Sequence, residues 1–329
     1  MNSFGKKFRV QIFGQSHGEY VGVVIDGCPP GISVAPEDFK EDIERRKPGA
    51  KGTTPRKEDD IPEIISGVFN GKSAGSPMTI LFKNSNTRSS DYEKLRAVPR
   101  PGHADFVAHK KYDGFEDYRG GGHFSGRLTV ALVAAGVIAK KTIESFAEEK
   151  KIAVHSTILE IGGEKDLEKG LQKAIDAKDS IGGIVECVVS NLPVGLGEPF
   201  FDSAESLISH AAFSIPAVKG IEFGAGFSAA KMFGLEHNDA IINADGTTAT
   251  NNAGGIVGGI TNGNELIFRI AVKPTSSTPK EQQTLNIETG NVEPFSVKGR
   301  HDLCIALRVP VVLEAVTAMV IADLLLLEH

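Results

Sequence analysis

The sequence has little of what several common protein classes require. It contains only three cysteines, Cys28, Cys187 and Cys304, which lie far apart and without metal-ligand spacing. This argues against a disulfide framework and a zinc site, and it predicts buried thiols in a reducing compartment. Positive charge is not in excess either, since the formal net charge is -6. A nucleic-acid partner is therefore not expected, because such proteins are usually basic.

Targeting and membrane signals are also missing. The N-terminal segment "MNSFGKKFRV" lacks the apolar core of a signal peptide, so we expect a cytoplasmic protein. The longest apolar segment, 310–327, carries Glu314 and Asp323. Charges inside a lipid-facing helix are costly, so this segment predicts a buried helix and no membrane partner. The last residues, 327–329, resemble the beginning of an affinity tag.

Glycine, by contrast, is plentiful, with 37 residues that cluster in "RGGGHFSG", "NNAGGIVGG" and "GAGF". Such clusters occur where the backbone turns sharply or approaches a ligand closely. Each cluster alone is equally compatible with an ordinary tight turn.

The chain also repeats one order of elements. Segments 65–84 and 253–274 both pair a glycine turn with an alternating strand, and "VVIDGCPPGISV" resembles "CVVSNLPVGLGE". A helical pattern follows "VVIDGCPPGISV" and "CVVSNLPVGLGE" alike, and a long apolar helix ends each half. We predict a single domain over 1–326 with duplicated halves at about 1–150 and 151–326. The fold class is α+β: a β-α-β sandwich with a helical layer between two largely antiparallel sheets.

Two histidines stand beside glycine in short polar segments, His17 in "FGQSHG" and His103 in "RPGHAD". They are either ordinary turn residues or parts of one acid–base site assembled from distant segments. Imidazole titrates near neutrality, which suits proton transfer.

Basic residues cluster in "ERRKPGAKG", which includes Arg46 and Lys51. Arginine presents a planar fork to carboxylate or phosphate, although cations are also common at a solvated helix end. The loop "YRGGGHFSGR" opens a helix, so its N–H groups are available to an anion, and Ser125 is placed to cap. Neither a P-loop, a dinucleotide motif nor a serine nucleophile elbow is present. This set predicts a site that binds a multiply anionic ligand and moves protons at it.

Fourteen strings between Phe4 and Leu326 resemble the chorismate synthase family, in that family's order. They are "FGQSHG", "IDGCPPG", "RRKPG", "TTPRKE", "SGVFNGK", "RPGHAD", "DYRGGG", "SGR", "VAAGVIAKK", "GLGEPFFD", "SIPAVKGIEFG", "NNAGGIVGGITNG", "KPTSS" and "GRHDLC". The resemblance implies a lyase that removes phosphate and a ring hydrogen from 5-enolpyruvylshikimate 3-phosphate to give chorismate, in the shikimate pathway of aromatic amino-acid biosynthesis. It implies reduced FMN as cofactor without net redox change, and a homotetramer with a β–α–β sandwich subunit. Reduced flavin is supplied either by another source or by NADPH.

The resemblance also assigns residues. His17 matches the histidine that protonates the departing phosphate, His103 the one that serves the reduced flavin, and Asp302 the aspartate linked to ring-proton removal. The positions that match substrate-binding residues are Ser16, Arg46, Arg100, Arg127 and Arg300, of which Arg46 also matches an NADP-binding position. The positions that match flavin-binding residues are His123, Phe124, Ser125, Pro216, Ala217, Gly258, Lys273, Pro274, Thr275, Ser276, Ser277 and Arg300.

The sequence departs from the family pattern mainly by losing charge. The departures are Gln15 for Glu, His123 for Arg, Phe124 for Ser, Gly126 for Ala, Leu128 for Glu and Leu303 for Pro. The turn after "RRKPG" is one residue short and lacks its arginine, for which Lys51 is a substitute. These changes keep an alternative open: a flavin-binding protein or NADPH-dependent flavin reductase on the same scaffold, with weakened lyase activity. A non-enzymatic interaction protein would not explain the charged groups in glycine loops.

Overall fold

Two antiparallel sheets dominate the structure, a computed structural model that describes residues 2–49, 51–54, 58–86, 96–146, 151–297 and 302–328. Within these residues, the first sheet has the order β1-β2-β3-β7-β4, formed by Ser3–Phe4, Arg9–Gly14, Tyr20–Asp26, Met78–Lys83 and Glu63–Ser66. The second has the order β10-β13-β9-β8, formed by Val218–Phe223, Leu266–Val272, Gly183–Ser190 and Ala153–Ile161. Small hairpins complete the strands: β5 and β6 (Val68–Phe69, Lys72–Ser73), β11 and β12 (Ile256–Val257, Ile260–Thr261), and β14 and β15 (Gln282–Leu285, Val292–Phe295).

The helices lie mainly between the sheets or at their ends. They are α1 (Lys40–Arg46), α2 (Asp105–Lys111), α3 (Thr129–Glu144), α4 (Leu167–Ala177), α5 (Ala204–Ala212), α6 (Gly234–His237) and α7 (Val309–Glu328). Helix α3 packs on β3 and β7 of the first sheet, α7 packs on β8 and β9 of the second, and the two helices pack on each other. The predicted sandwich with a central helical layer is therefore confirmed.

The order of the strands shows the predicted duplication. The series β2, β3, β7, β4 in the first sheet corresponds to β8, β9, β13, β10 in the second, each neighbour pairing antiparallel. Hairpin β5–β6 corresponds to β11–β12, helix α1 to α5, and α3 to α7. The residue boundaries of the two halves stay a prediction.

Alternation of apolar residues explains why the strands cover the helical layer. In β3, Val21, Val23 and Ile25 are fully buried, and β13 alternates in the same way. Side chains on one face of a strand point to the same side, so each sheet turns one apolar face inward. The cysteine thiols are buried, as predicted, and burial raises the pKa of Cys187 to about 12.

Helix α7 is long and apolar enough to span a membrane, but 89% of its most apolar window is buried. The two charged residues in its interior, Glu314 and Asp323, are buried with partners. Glu314 accepts hydrogen bonds from both terminal nitrogens of Arg45 at 2.7 Å, and Asp323 accepts from the backbone N–H groups of the segment 6–8. Buried carboxylates are tolerated when they are paired in this way, so the predicted buried helix is confirmed.

Candidate functional site

A cavity of about 710 Å³ lies where α3 and α7 begin. Such a volume is typical of small-molecule and cofactor sites. The described residues that line it include five cations, Arg46, Arg100, Arg127, Lys273 and Arg308, and three carboxylates, Glu58, Asp60 and Asp302. The lining is thus net positive although the whole chain has a formal charge of -6. An excess of buried positive charge in an acidic protein indicates an anionic ligand.

Two arginines of the cavity share one carboxylate. Arg46 Nη2 donates to Asp60 Oδ2 at 2.6 Å, and Arg127 Nη1 donates to Asp60 Oδ1. Arg46 ends helix α1, and Arg127 lies in the turn that leads into α3, capped by the side chain of Ser125 as predicted. Burial would raise the pKa of Asp60, but the two guanidinium groups outweigh it and hold that pKa below its ordinary value. Asp60 is therefore ionised at neutral pH.

A third arginine, Arg308, closes the same end of the cavity. Its Nε donates to the backbone carbonyl of Arg46 at 2.9 Å, and its Nη1 donates to Asp302 Oδ2 at 3.3 Å. The other oxygen of Asp302 accepts from the backbone N–H of Thr54 at 2.8 Å. The aspartate expected from the resemblance thus lines the cavity and is held by an arginine of the same loop and by a distant backbone group.

His103 lies in a compact cluster with Arg100 and Asp105. Arg100 donates through Nε and Nη2 to the two oxygens of Asp105 at 2.7 and 2.8 Å. His103 Nδ1 lies 2.6 Å from Asp105 Oδ1, and Arg100 Nη1 reaches Ser277 Oγ at 3.3 Å. Burial opposes ionisation of Asp105, yet Arg100 and His103 hold its pKa well below its usual range. This carboxylate orients both groups at the cavity wall.

His17 lies behind the glycine loop. The backbone at Gly120 has a φ of +61°, and a Cβ built there would lie 2.1 Å from His17 Nδ1 and 2.9 Å from Ser16 Oγ. Gly120 lines the cavity, and the backbone N–H of Ser16 donates to Gly122 O at 3.0 Å. Only glycine leaves room for the imidazole here, which explains the local sequence. His17 and Ser16 are both buried and adjoin the cavity across this loop.

The altered part of the loop, His123 and Phe124, also lines the cavity. His123 Nδ1 lies 2.9 Å from the carbonyl oxygen of Gly14, and its Nε2 lies 3.2 Å from Asn2 Oδ1. The imidazole is thus engaged by its own chain at both nitrogens. Phe124 makes a tilted ring contact with Tyr112, with the centroids 6.3 Å apart.

The segment "KPTSS" forms another part of the cavity wall. Lys273 Nζ donates to Ser276 Oγ at 2.8 Å and to Gly102 O at 3.1 Å, and Ser276 Oγ donates to Gly102 O at 2.6 Å. Burial lowers the pKa of Lys273, and Lys219 adds to this effect. These contacts tie the segment from the second half to the loop that carries His103. All of its residues, 273–277, line the cavity together with Pro216 and Ala217.

Four of the sequence-predicted site residues are not placed among the residues that line this cavity. Ser16 and His17 lie against Gly120 of the glycine loop and do not line the cavity themselves. Gly258 lies between β11 and β12 and is not among the lining residues. Arg300 falls outside the described residues. Lys51, the proposed substitute for the missing arginine, is exposed and donates to Gln172 Oε1 at 3.2 Å.

Sequence reasoning missed several residues that the cavity or its cluster uses: Glu58, Asp60, Asp105, His210 and Arg308. Asp105 lies within "RPGHAD", so the motif itself contained that signal. In the described part of the chain, no group of three or more His, Cys, Asp or Glu residues could hold a metal ion.

Comparisons with known proteins show which family the chain belongs to. A family model described as chorismate synthase matches residues 8–326. The chain is 71% identical over 329 residues to a chorismate synthase of Chitinophaga pinensis, covering 100% of this chain and 98% of that relative. It is 42% identical over 365 residues to a chorismate synthase of Methanocaldococcus jannaschii, covering 99% and 96%. A solved structure described as the crystal structure of chorismate synthase has a TM-score of 0.74 at 26% identity, covering 99% of this chain and 93% of that one. The chain therefore belongs to the chorismate synthase family, and its activity is that family's carbon–oxygen lyase reaction.

Proposed function

We propose that the cavity binds 5-enolpyruvylshikimate 3-phosphate beside reduced FMN and releases phosphate and chorismate. The observation that carries this proposal is the net positive lining of the cavity, with five cations against three carboxylates among the described residues. The substrate is a phosphate ester that also carries carboxylates, so it needs several positive groups at once. Arginine suits it because its planar fork matches both kinds of anion.

The anion-binding groups are Arg46, Arg100 and Arg127. Arg46 and Arg127 are almost fully buried, with side chains 3% exposed. Charge-assisted hydrogen bonds formed away from water are stronger than those at a surface. Arg300 and Ser16 complete the substrate set by resemblance.

The two histidines transfer protons from either side of the glycine loop: His103 lines the cavity, and His17 lies against Gly120 of its wall. His17, held against the glycine loop, donates a proton to the departing phosphate, because a protonated phosphate leaves more easily. His103 holds a proton on the flavin side, and Asp105 orients its ring through the contact at Nδ1. Asp302, fixed by Arg308 and Thr54, assists removal of the ring proton.

Reduced FMN would lie against the segment 273–277, the pair Pro216 and Ala217, and the loop 123–125. The hydroxyls and backbone N–H groups of these turns suit a phosphate and ring oxygens, and Lys273 adds a positive charge. Phe124 is 38% exposed and offers apolar surface to a ring. When bound, the cofactor supplies electron density to the reacting ring and takes up the ring hydrogen, without net redox change.

One experiment tests the function directly. The purified protein is incubated under anaerobic conditions with substrate and chemically reduced FMN, and chorismate absorbance and phosphate release are followed together. We expect both products in equal amounts, and none with oxidised FMN. A second arm replaces the chemical reductant by NADPH plus FMN, and product formation there would show that the protein reduces its own flavin. Absence of phosphate release with reduced FMN would refute the proposal.

A second experiment tests the cofactor loop. The double variant His123→Arg with Phe124→Ser restores a permanent charge and a hydroxyl. One charge-assisted hydrogen bond changes affinity by roughly 10- to 100-fold, so we expect that much tighter FMN binding by titration calorimetry. Unchanged affinity in the double variant would exclude the loop as the determinant.

We further propose that the protein works as a cytoplasmic homotetramer. Large apolar side chains are exposed on the second half, including Phe200, Phe201, Phe227, Phe233 and Leu235. Large apolar side chains exposed on the surface are common at contacts between subunits. Analytical ultracentrifugation gives the mass in solution, and a monomer at all concentrations would contradict this assembly.

A further inference from the structure

Asp60 is a buried carboxylate inside a site that must bind anions, and this needs a physical reason. Its side chain is 1% exposed, and those of Arg46 and Arg127 are each 3% exposed. A negative charge so close to a phosphate or carboxylate ligand repels it. The Asp60 carboxylate therefore weakens anion binding unless it contributes to the site in another way.

The arginines themselves supply that reason. Burial lowers the pKa of Arg46 to about 10, while Asp60 opposes this effect and the neighbouring cations Arg308 and Arg127 add to it. Buried like charges repel each other and are tolerated only when they are paired. The two oxygens of Asp60 each take a terminal nitrogen of a different arginine, which holds the two guanidinium groups side by side.

The backbone of Asp60 also indicates a fixed position. Its φ is +52°, in the left-handed region that residues other than glycine rarely adopt. Such a conformation persists where the surrounding contacts determine it. Here the carboxylate is held between helix α1 and the turn before α3, elements that come from distant parts of the first half.

The pairing leaves both arginines with donors that the protein does not use. Arg127 also donates through Nε to Asn84 Oδ1 at 2.8 Å and through Nη2 to Lys83 O at 3.4 Å, so one N–H remains on each of its terminal nitrogens. Arg46 has its Nη1 at 3.3 Å from Thr129 Oγ1, but its Nε is buried without a hydrogen-bond partner in the part of the chain that the structure describes. A buried N–H group without a partner is rare in native proteins, and an acceptor from a ligand, an ion or a water would satisfy it.

We propose that Asp60 is the positioning residue of the anion-binding site: it clamps Arg46 and Arg127 at the cavity so that their remaining donors meet the substrate's phosphate or carboxylate together. This inference rests on the proposed role of the two arginines in binding the substrate. It predicts that Asp60 strengthens anion binding despite its own negative charge.

The direction in which Asp60→Asn changes anion affinity distinguishes a positioning role from that of a simple counter-charge. Asp60→Asn keeps the shape and removes the charge, but its amide nitrogen can accept nothing from a guanidinium group. A site governed by net charge alone would bind anions more tightly in Asp60→Asn. A site governed by geometry would bind them more weakly, because one arginine loses its acceptor and turns away.

The test uses the whole protein without flavin, with inorganic phosphate and then with 5-enolpyruvylshikimate 3-phosphate as probes. Calorimetry gives the affinity, and thermal unfolding with and without phosphate gives an independent reading of it. We expect Asp60→Asn to weaken binding of the substrate by roughly 10- to 100-fold, the range for a lost charge-assisted contact. In turnover with reduced FMN, we expect most of the loss in KM and less in kcat, because no group at the reacting atoms has changed.

Asp42→Asn is the matched control. Asp42 is also a buried aspartate on the Arg46 helix, and it pairs with Arg45 at 3.1 Å and Lys140 at 2.7 Å, but it does not line the cavity. We expect it to lower the unfolding temperature and leave phosphate and substrate affinity unchanged. If Asp60→Asn does not fold, Asp60→Gly removes the carboxylate and also suits the left-handed backbone.

The outcomes are distinct. Equal or tighter anion binding in Asp60→Asn or Asp60→Gly would overturn the inference, and so would equal weakening in Asp42→Asn. A wild-type protein that binds phosphate but makes no chorismate would refute the proposed function. The phosphate affinities of wild type and Asp60→Asn would then still decide whether Asp60 positions the arginines. A wild-type protein that binds neither probe would overturn both.

Discussion

Gly120→Ala is the smallest change that should displace His17. The added methyl group would lie 2.1 Å from His17 Nδ1 and 2.2 Å from Cε1. Non-bonded heavy atoms pack at about 3.5–4.0 Å, so either the imidazole or the loop has to move by more than ~1 Å. A misplacement of about 1 Å typically costs roughly 100-fold in rate. The left-handed backbone at this position adds a strain of about 1–2 kcal/mol for alanine.

We therefore expect kcat for chorismate formation to fall about 100-fold in Gly120→Ala. The assay is the anaerobic reaction with chemically reduced FMN. Substrate affinity, measured by calorimetry, should change much less, because the arginines are untouched.

Two alanine variants separate the contact from its side effects. Gly163 has a φ of +78° with nothing within 4 Å of a built Cβ, so Gly163→Ala reproduces the backbone strain away from the cavity. Gly126 lies in the same loop as Gly120, also has nothing within 4 Å and lacks the left-handed backbone. Both variants should keep turnover close to that of wild type. Turnover by Gly120→Ala at the same level would refute the placement of His17 as a proton donor held by this loop.

Further outcomes are expected at His17, His103, Asp105 and Gly136. His17→Ala and His103→Ala should each slow turnover by roughly 10²- to 10⁴-fold while substrate still binds, as rapid-quench and binding measurements can show; unchanged turnover in either would remove that residue from the mechanism. Asp105 has a depressed pKa in the folded protein, so the stability it contributes is present above about pH 3.9 and is lost as pH falls through the folded-state pKa. Urea unfolding should accordingly show Asp105→Asn less stable than wild type at pH 7, with the difference shrinking below about pH 4; a constant difference would contradict the ion pairs. Gly136→Ala would bring a methyl group to 2.3 Å from Ala315 Cβ between α3 and α7, and should destabilise by about 1–3 kcal/mol in the same assay; a stabilised variant would mean that the helices can separate at little cost.

The architecture could be predicted from the sequence because its signals are local. Helices α3 and α7 are continuous apolar runs, and Ser125 stands where the helix entry needs a cap. The repeated order of strands and turns is visible without any tertiary information. Helix α4 also has a local signal, with Asp166 as its N-cap, but it has no counterpart in the repeated order of elements.

The partners of the site residues could not be predicted in the same way. Asp60 meets Arg46 and Arg127, which are 14 and 67 residues away, and nothing in "KEDDIPE" distinguishes this carboxylate from its acidic neighbours. The ring of His123 meets the carbonyl of Gly14 across 109 residues. Such pairs depend on how two elements pack together in the fold. Motifs and the family resemblance therefore predict the functional groups, whereas the carboxylates that hold them are visible only in the structure.

The duplication has a consequence for the ligand. The corresponding helices α3 and α7 both begin at the cavity, where Thr129 and Val309 are among the lining residues. Each helix N-terminus carries about half a positive charge, and the effect is strongest within the first turn. Two such ends therefore add to the arginines that the entry turns carry, Arg127 before α3 and Arg308 before α7. The equivalent positions of the two halves thus hold one positive group each, so the cavity suits a ligand with more than one anionic group whether or not a flavin is bound.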